Sequence, residues 1–143
     1  MRSFTYPARL KSEANGITVQ FADLPEAITS GKTRADALEQ AADCLEEAIA
    51  GRIADGLEIP EPSAAKARQA LVSLSAPMAA KAALYLAIKE TGMSNAKLAR
   101  RLGYDEREIR RMLDPRQATR LARIQRVLQM LGKRLLISME NAA

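Results

Sequence analysis

The apolar residues of this chain change their spacing near residue 76, and this change limits the folds that the chain can adopt. Before residue 76, short segments alternate apolar and polar residues, as strands with one buried face do. After it, apolar residues recur every three or four positions, as in amphipathic helices. The pattern predicts an α+β protein with an N-terminal domain over residues 1–76 and an all-α domain over residues 77–143.

The N-terminal domain begins with a predicted hairpin. Residues 4–11 and 17–21 alternate, and the polar loop between them ends in Asn-Gly. Pro7 has no N–H to donate, so we expect it to face a sheet edge or a bulge. Residues 22–33 contain Pro and Gly and are predicted to be a loop.

A helix and a third strand complete the predicted ββαβ unit. The helix is predicted to begin at Thr33, which forms a capping box with Asp36, and to end near Gly56. Residues 69–75 have the β-branched, alternating character of a strand. Three strands with one helix on a face can close a small core.

The second domain is predicted to be helical. Four helices are expected, over residues 77–90, 95–102, 105–113 and 120–131. Ser94 is the expected N-cap of the second helix. Residues 134–139 alternate again and predict a terminal strand, which requires a partner strand. Two chains are expected to pair there, through Leu135, Leu136, Ile137 and Met139.

The second and third of these helices have the spacing of a helix-turn-helix. Ala99 is small where the helices would cross, Gly103 suits the turn, and Ile109 would face inward. The third helix would then lie in the major groove of DNA. The side chains expected at base edges are Glu106, Arg107, Arg110 and Arg111. Those expected at phosphates are Asn95, Lys97, Arg116 and Arg120, with Arg100 and Arg123 as further candidates.

The distribution of charge agrees with nucleic-acid binding by the second half. Residues 1–62 carry 6 Lys/Arg against 11 Asp/Glu, a net charge of −5, whereas residues 63–143 carry 16 against 6, a net charge of +10. A basic half of this size can replace the counterions of duplex phosphates. The alternative is an ordinary solvated helix face, since the carboxylates of Asp105, Glu106 and Glu108 would repel phosphate.

Composition excludes several classes of site. The chain has no His and a single Cys, so metal centres and Cys/His nucleophiles lack their usual members. No cofactor or metal is expected. No segment has the length of a membrane span or the pattern of a signal peptide, which predicts a cytoplasmic protein.

Motifs along nearly the whole chain together resemble one known family. The N-terminal motifs are "ITVQFADLPEAITSGKTRADALEQAADCLEEAI" and the later "IPEPS". The C-terminal motifs are "LARRLGYDEREIRRMLD" and "QATRLARIQRVLQMLGKRLLISM". In this order and spacing they resemble the HicB antitoxins of bacterial HicAB toxin–antitoxin systems, in the variant that carries a helix-turn-helix.

The resemblance implies a fold and two partners. It implies that the N-terminal domain has a partial RNase H-like fold and covers a small basic HicA-like mRNA interferase toxin. It also implies that the C-terminal domain represses the operon by binding its operator as a homodimer or a higher even-numbered oligomer. The carboxylates expected to attract the toxin are Asp23, Glu26, Asp36, Glu39, Asp43 and Glu46, with Glu47 on the same helix.

Three alternatives stand beside this interpretation. The acidic stripe is also explained as the solvated face of an amphipathic helix, or as a counterweight to the basic domain of the same chain. The chain could instead be a free-standing helix-turn-helix regulator whose N-terminal domain binds a ligand or acts as a scaffold. Catalysis by an RNase H-like fold requires carboxylates that converge on Mg²⁺. Here the carboxylates are spread along one helix face, so the chain is predicted not to be an enzyme.

Overall fold

A computed structural model describes residues 1–142 of the chain and confirms the α+β class. Within these residues there are four strands and five helices. The strands are β1 (Thr5–Glu13), β2 (Gly16–Phe21), β3 (Ile28–Gly31) and β4 (Gln69–Ser73). The helices are α1 (Arg34–Ala54), α2 (Ala76–Thr91), α3 (Asn95–Leu102), α4 (Glu106–Leu113) and α5 (Leu121–Met130). The fold divides into two compact units, unit 1 over residues 1–79 and unit 2 from Ala80 onward.

Unit 1 is an antiparallel sheet with α1 packed on it. The strand order is β3-β2-β1-β4, so the predicted hairpin lies at the centre of the sheet. Strands β1, β2 and β4 contribute buried side chains to this core, whereas none of the residues of β3 is fully buried. The largest fully buried side chains of the unit are Tyr6, Phe21, Leu24, Leu45 and Ile49.

The predicted ββαβ order is wrong by one strand. Part of the predicted loop over residues 22–33 forms β3, which pairs with β2 and places Gly31 opposite Ile17. This strand is only four residues long and ends in Gly, so it lacks the apolar alternation that identifies longer strands. Gly31 is required by α1, because a Cβ at this position would lie 2.4 Å from the backbone nitrogen of Ala37.

Pro7 lies in a central strand, so the expectation of a sheet edge is wrong. The last pair between β1 and β2 joins Ala8 to Phe21, and Pro7 lies one residue beyond it. Its carbonyl accepts a hydrogen bond from the Ala22 N–H at 3.4 Å. In an antiparallel strand the N–H and C=O of one residue point the same way, so the missing donor lies on the β2 side, beyond the last residue of β2, and costs no bond to β4.

The helices of unit 2 begin and end within one residue of their predicted bounds. Ser94 and Asp105 are the N-caps of α3 and α4, and their side chains accept hydrogen bonds from the backbone N–H groups of Lys97 and Arg107. The core of the unit is aliphatic, with one Met. Its most buried members are Leu84, Leu98, Ile109, Met112, Ile124 and Val127. Leu121 fits the apolar period of α5 but is 40% exposed, because it is the first residue of the helix and precedes the buried stripe.

The predicted terminal strand is not formed by the single chain. Residues 133–142 have no assigned helix or strand, and they have no neighbouring strand with which to pair. Over the described residues, none of the helices combines the length and the apolar character needed to cross a membrane.

Candidate interaction surfaces

The connection between α3 and α4 is a tight turn at Gly103. This residue has a φ of 75°, in the left-handed region, and the next N–H, of Tyr104, donates to the Ala99 carbonyl at 2.9 Å. Ala99 and Ile109 are buried, as their predicted roles at the helix contact require. The turn and the inward face are therefore built as the sequence predicted, while the binding of DNA by these helices stays a prediction.

The outward face of α4 presents guanidinium groups. Arg107, Arg110 and Arg111 are exposed, and Glu106 is half-buried beside them. Glu106 pairs with Arg110 at 3.9 Å, one turn along the helix. Two cations of this face, on Arg107 and Arg111, therefore have no ion-pair partner among residues 1–142.

The acidic residues at the start of α4 have structural partners. The Asp105 carboxylate caps the helix, and the Glu108 carboxylate forms an ion pair with Arg123 of α5. The Arg123 guanidinium also lies 5.8 Å from the centre of the Tyr104 ring. The phosphate repulsion that counted against DNA binding is thus weakened, because each carboxylate is already paired with a cation or a helix N-terminus.

The other predicted phosphate contacts lie around this helix pair. Lys97 and Arg120 are exposed, and Asn95 is the half-buried first residue of α3. Arg116 is exposed and lies 3.9 Å from the carboxylate of Asp114. The sequence reasoning missed two exposed cations of the same kind, on Arg101 and Arg126. Their positions on the polar faces of α3 and α5 were a signal that could have identified them.

Lys81 was also missed. It is 5% exposed, and its ammonium group donates to the carbonyls of Met112 and Asp114, each at 2.8 Å, and to the Thr119 hydroxyl at 3.1 Å. Burial lowers the pKa of this ammonium group, and the Asp114 carboxylate opposes that effect. The signal in the sequence is that Lys81 alone interrupts the apolar run over residues 78–88.

Two of the predicted toxin-binding carboxylates stabilise the loop that follows β2. Asp23 accepts hydrogen bonds from the backbone N–H and the hydroxyl of Ser63, at 2.9 and 3.1 Å. Glu26 accepts two hydrogen bonds from the Arg52 guanidinium, and these bonds lower the pKa of the Glu26 carboxyl. Both side chains therefore form hydrogen bonds that stabilise unit 1 itself.

Two more carboxylates on α1 are also used internally. The Asp36 N–H donates to the Thr33 hydroxyl, as the predicted capping box requires. The Asp36 carboxylate accepts a hydrogen bond from the Lys32 N–H at 2.9 Å, where the standard motif uses the N–H of the N-cap residue. Glu46 accepts from the Ser75 N–H at 2.6 Å. These bonds orient the two carboxylates toward their own unit.

Three carboxylates remain as an open acidic ridge on α1. Glu39, Asp43 and Glu47 are exposed and lie four residues apart, on one side of the helix over about 12 Å. They form no ion pair with any residue that the structure describes. This acidic ridge is the part of the predicted stripe that is available to a cationic partner.

The C-terminal segment exposes apolar side chains. Leu135 packs against the core of unit 2, whereas Leu136, Ile137 and Met139 are 57%, 77% and 98% exposed. Large apolar side chains that stay in water are typical of a surface that pairs with another chain. The structure contains one chain, so the pairing of these four residues stays a prediction.

Acidic and thiol groups do not converge on a cation site in the part of the chain that is described. No three Asp, Glu or Cys side chains there lie close enough to hold a metal ion. Cys44 is half-buried, and burial, followed by the charges of Glu26 and Glu47, raises the pKa of its thiol.

Comparison with known proteins gives a consistent match. Residues 5–83 match a family described as the HicB-like antitoxin of a bacterial toxin–antitoxin system. "Antitoxin HicB 2" of Photorhabdus laumondii is 38% identical over 94% of this chain and 95% of its own length. "Antitoxin HicB" of Pseudomonas fluorescens is 34% identical over 97% and 96%, and that of Escherichia coli K12 is 33% identical over 94% and 98%.

Proposed function

The chain belongs to the HicB-like family of bacterial antitoxins, and we propose that it neutralises a small HicA-like mRNA interferase toxin by direct binding and represses its own operon by binding DNA. The observation that carries the proposal is the near full-length similarity to proteins named as HicB antitoxins. In this proposal unit 1 is a partial RNase H-like domain without catalytic activity, and unit 2 is a helix-turn-helix domain.

The toxin is proposed to bind unit 1 at the acidic ridge. Glu39 and Asp43 are exposed and without ion-pair partners in residues 1–142, so binding a cation costs them no existing bond. A small basic ribonuclease needs cationic side chains to hold RNA phosphates, and an acidic ridge can occupy the same side chains. The predicted contacts at Asp23, Glu26, Asp36 and Glu46 would be secondary, because those carboxylates already serve unit 1.

The test is coexpression with the short basic reading frame beside this gene. We expect the two products to copurify and the antitoxin to restore growth. Glu39→Lys should slow association with the toxin about tenfold at low salt and less at high salt, because rate enhancement by exposed charges is screened. Glu13→Lys makes the same charge change at the exposed hairpin end of unit 1 and serves as the control. Equal effects of the two variants would contradict the ridge as the toxin site.

Operator binding is proposed to use α4 in the major groove. Arg107 and Arg111 would contact base edges, with Arg110 and Glu106 as a paired set beside them. Asn95, Lys97, Arg116 and Arg120 would contact phosphates. Two copies would read two half-sites about 34 Å apart, joined through Leu135, Leu136, Ile137 and Met139.

Footprinting of the DNA upstream of the operon tests this part. We expect protection of two half-sites one helical turn apart and an affinity that falls steeply with salt. Ile137→Asp should weaken pairing of the chains and therefore the occupancy of paired half-sites, while Ser138→Asp, which adds the same charge at the next position, should weaken them less. Equal affinities for the operator and for unrelated DNA would instead favour a basic surface that binds DNA without reading its sequence.

A further inference from the structure

Lys81 is a buried cation in a core that is otherwise apolar. Among residues 1–142, it is the one charged side chain that is buried. A buried ammonium group is stable only when its charge and its N–H groups find partners. Lys81 has three N–H donors and three acceptors, two of them backbone carbonyls, so its donors are fully used.

The two carbonyls are at the C-terminal end of α4. The last carbonyls of a helix lack partners within the helix and carry the negative end of its dipole. Met112 lies in the last turn of α4, and Asp114 is its C-cap residue. The Asp114 N–H bonds the carbonyls of Arg110 and Arg111. The Met112 carbonyl is instead bound by an ammonium group from α2, 31 residues earlier in the chain.

The same ammonium group also holds the segment between α4 and α5. Its third acceptor, the Thr119 hydroxyl, lies two residues before the first residue of α5. The start of α4 is fixed separately, by the Asp105 cap and by the ion pair of Glu108 with Arg123. Within the described residues, Lys81 is therefore the side chain of another helix that hydrogen-bonds the far end of this eight-residue helix.

We infer that Lys81 is a positioning residue for sequence recognition: by holding the C-terminal end of α4, it sets how Arg111 and its neighbours meet the bases. The inference rests on the proposed DNA-binding function. Base readout depends on hydrogen-bond geometry within a groove, whereas attraction to phosphates depends mainly on charge. Loss of the Lys81 contacts should thus reduce discrimination between sequences more than it reduces general affinity for DNA.

The experiment compares the affinities of the full chain for operator DNA and for random-sequence DNA. Lys81→Met keeps the length of the side chain but removes the charge and the donors. We expect the ratio of the two affinities to fall at least about tenfold, while affinity for random DNA changes little. Lys89→Met, on the exposed part of the same helix, removes the same charge and should leave the ratio unchanged. Affinity for the toxin should be unchanged in both variants.

The outcomes separate the inference from the proposed function. If the natural chain does not prefer its operator, the DNA-binding proposal fails. If it does, and Lys81→Met retains the same ratio, the positioning role is overturned. A fall of both affinities in proportion, in a variant that stays folded by circular dichroism, would show that Lys81 affects DNA binding in general and would also overturn the positioning role. Should Lys81→Met fail to fold, Thr119→Val, which removes one acceptor, should lower the ratio, and an unchanged ratio would count against the inference.

Discussion

Arg52 holds Glu26 through two hydrogen bonds, from Nε to Oε2 at 2.6 Å and from Nη2 to Oε1 at 2.9 Å. The remaining nitrogen, Nη1, donates to the Glu58 carbonyl at 2.9 Å. One guanidinium group therefore joins the last turn of α1 to the loop after β2 and to the segment that begins at residue 58. Planar, two-point pairing with a carboxylate is the geometry that Arg provides and Lys does not.

The pair should contribute to stability in a pH-dependent way. The Arg52 hydrogen bonds lower the pKa of Glu26, so its contribution is full above the ordinary carboxyl pKa and is lost as the pH falls through the lowered value. We expect Glu26→Gln to reduce the free energy of unfolding at pH 7 by less than about 1 kcal/mol, since the pair is half-exposed. Urea denaturation at pH 7 and pH 3 should show the difference from the natural chain shrinking at the lower pH. The same difference in the free energy of unfolding at both pH values would contradict the dependence of stability on the ionisation of Glu26.

Gly31 and Gly51 make a matched pair of substitutions. A Cβ at Gly31 would overlap the α1 backbone at Ala37, so Gly31→Ala should destabilise unit 1 by about 1–3 kcal/mol. Gly51 is inside α1 with open space around its Cα, so Gly51→Ala should stabilise by about 0.5–1 kcal/mol. Urea denaturation monitored by circular dichroism measures both. Effects of the same sign would contradict the close approach of β3 to α1.

Cys44 should react slowly with alkylating reagents. Its thiol is half-buried and its pKa is raised, while the thiolate is the reactive form. At pH 7.4 we expect iodoacetamide to modify the folded chain several-fold more slowly than the same chain in urea. Mass spectrometry of timed samples gives both rates. Equal rates would indicate that Cys44 is accessible in the folded state.

Arg111 and Arg120 should differ in what they contribute to DNA binding. Arg111 is exposed in the last turn of α4, and Arg120 is the N-cap residue of α5. We expect Arg111→Ala to weaken operator binding and to relax one base position by about 1–3 kcal/mol. Arg120→Ala should weaken operator and random DNA alike. Binding to a set of single-base operator variants distinguishes these results, and identical profiles would contradict the groove assignment.

The sequence identified the elements whose residues follow a strong period or carry explicit caps. The bounds of α3 were predictable because Ser94 and Gly103 mark its two ends. The strand β3 was not, because four residues without alternation are identified only by the neighbour with which they pair.

The candidate sites likewise contain residues that the sequence could predict and contacts that it could not. Residue types and helical spacing located the arginines of α4, since exposure follows from the period of a helix. They could not reveal that Asp23, Glu26 and Glu46 bind within their own unit, because those partners are 40, 26 and 29 residues away in the chain. Hydrogen bonds between residues so far apart leave no pattern in the local sequence.

The chain is proposed to divide two tasks between its two units, and a double variant tests this division in living cells. Arg107→Ala with Arg111→Ala removes two exposed cations from α4 and leaves the acidic ridge intact. The variant is coexpressed with the toxin in cells that carry a reporter under the operon's promoter, and growth and reporter output are read from the same culture. We predict restored growth together with lost repression. A variant that loses growth rescue and repression together, while staying folded, would contradict the division.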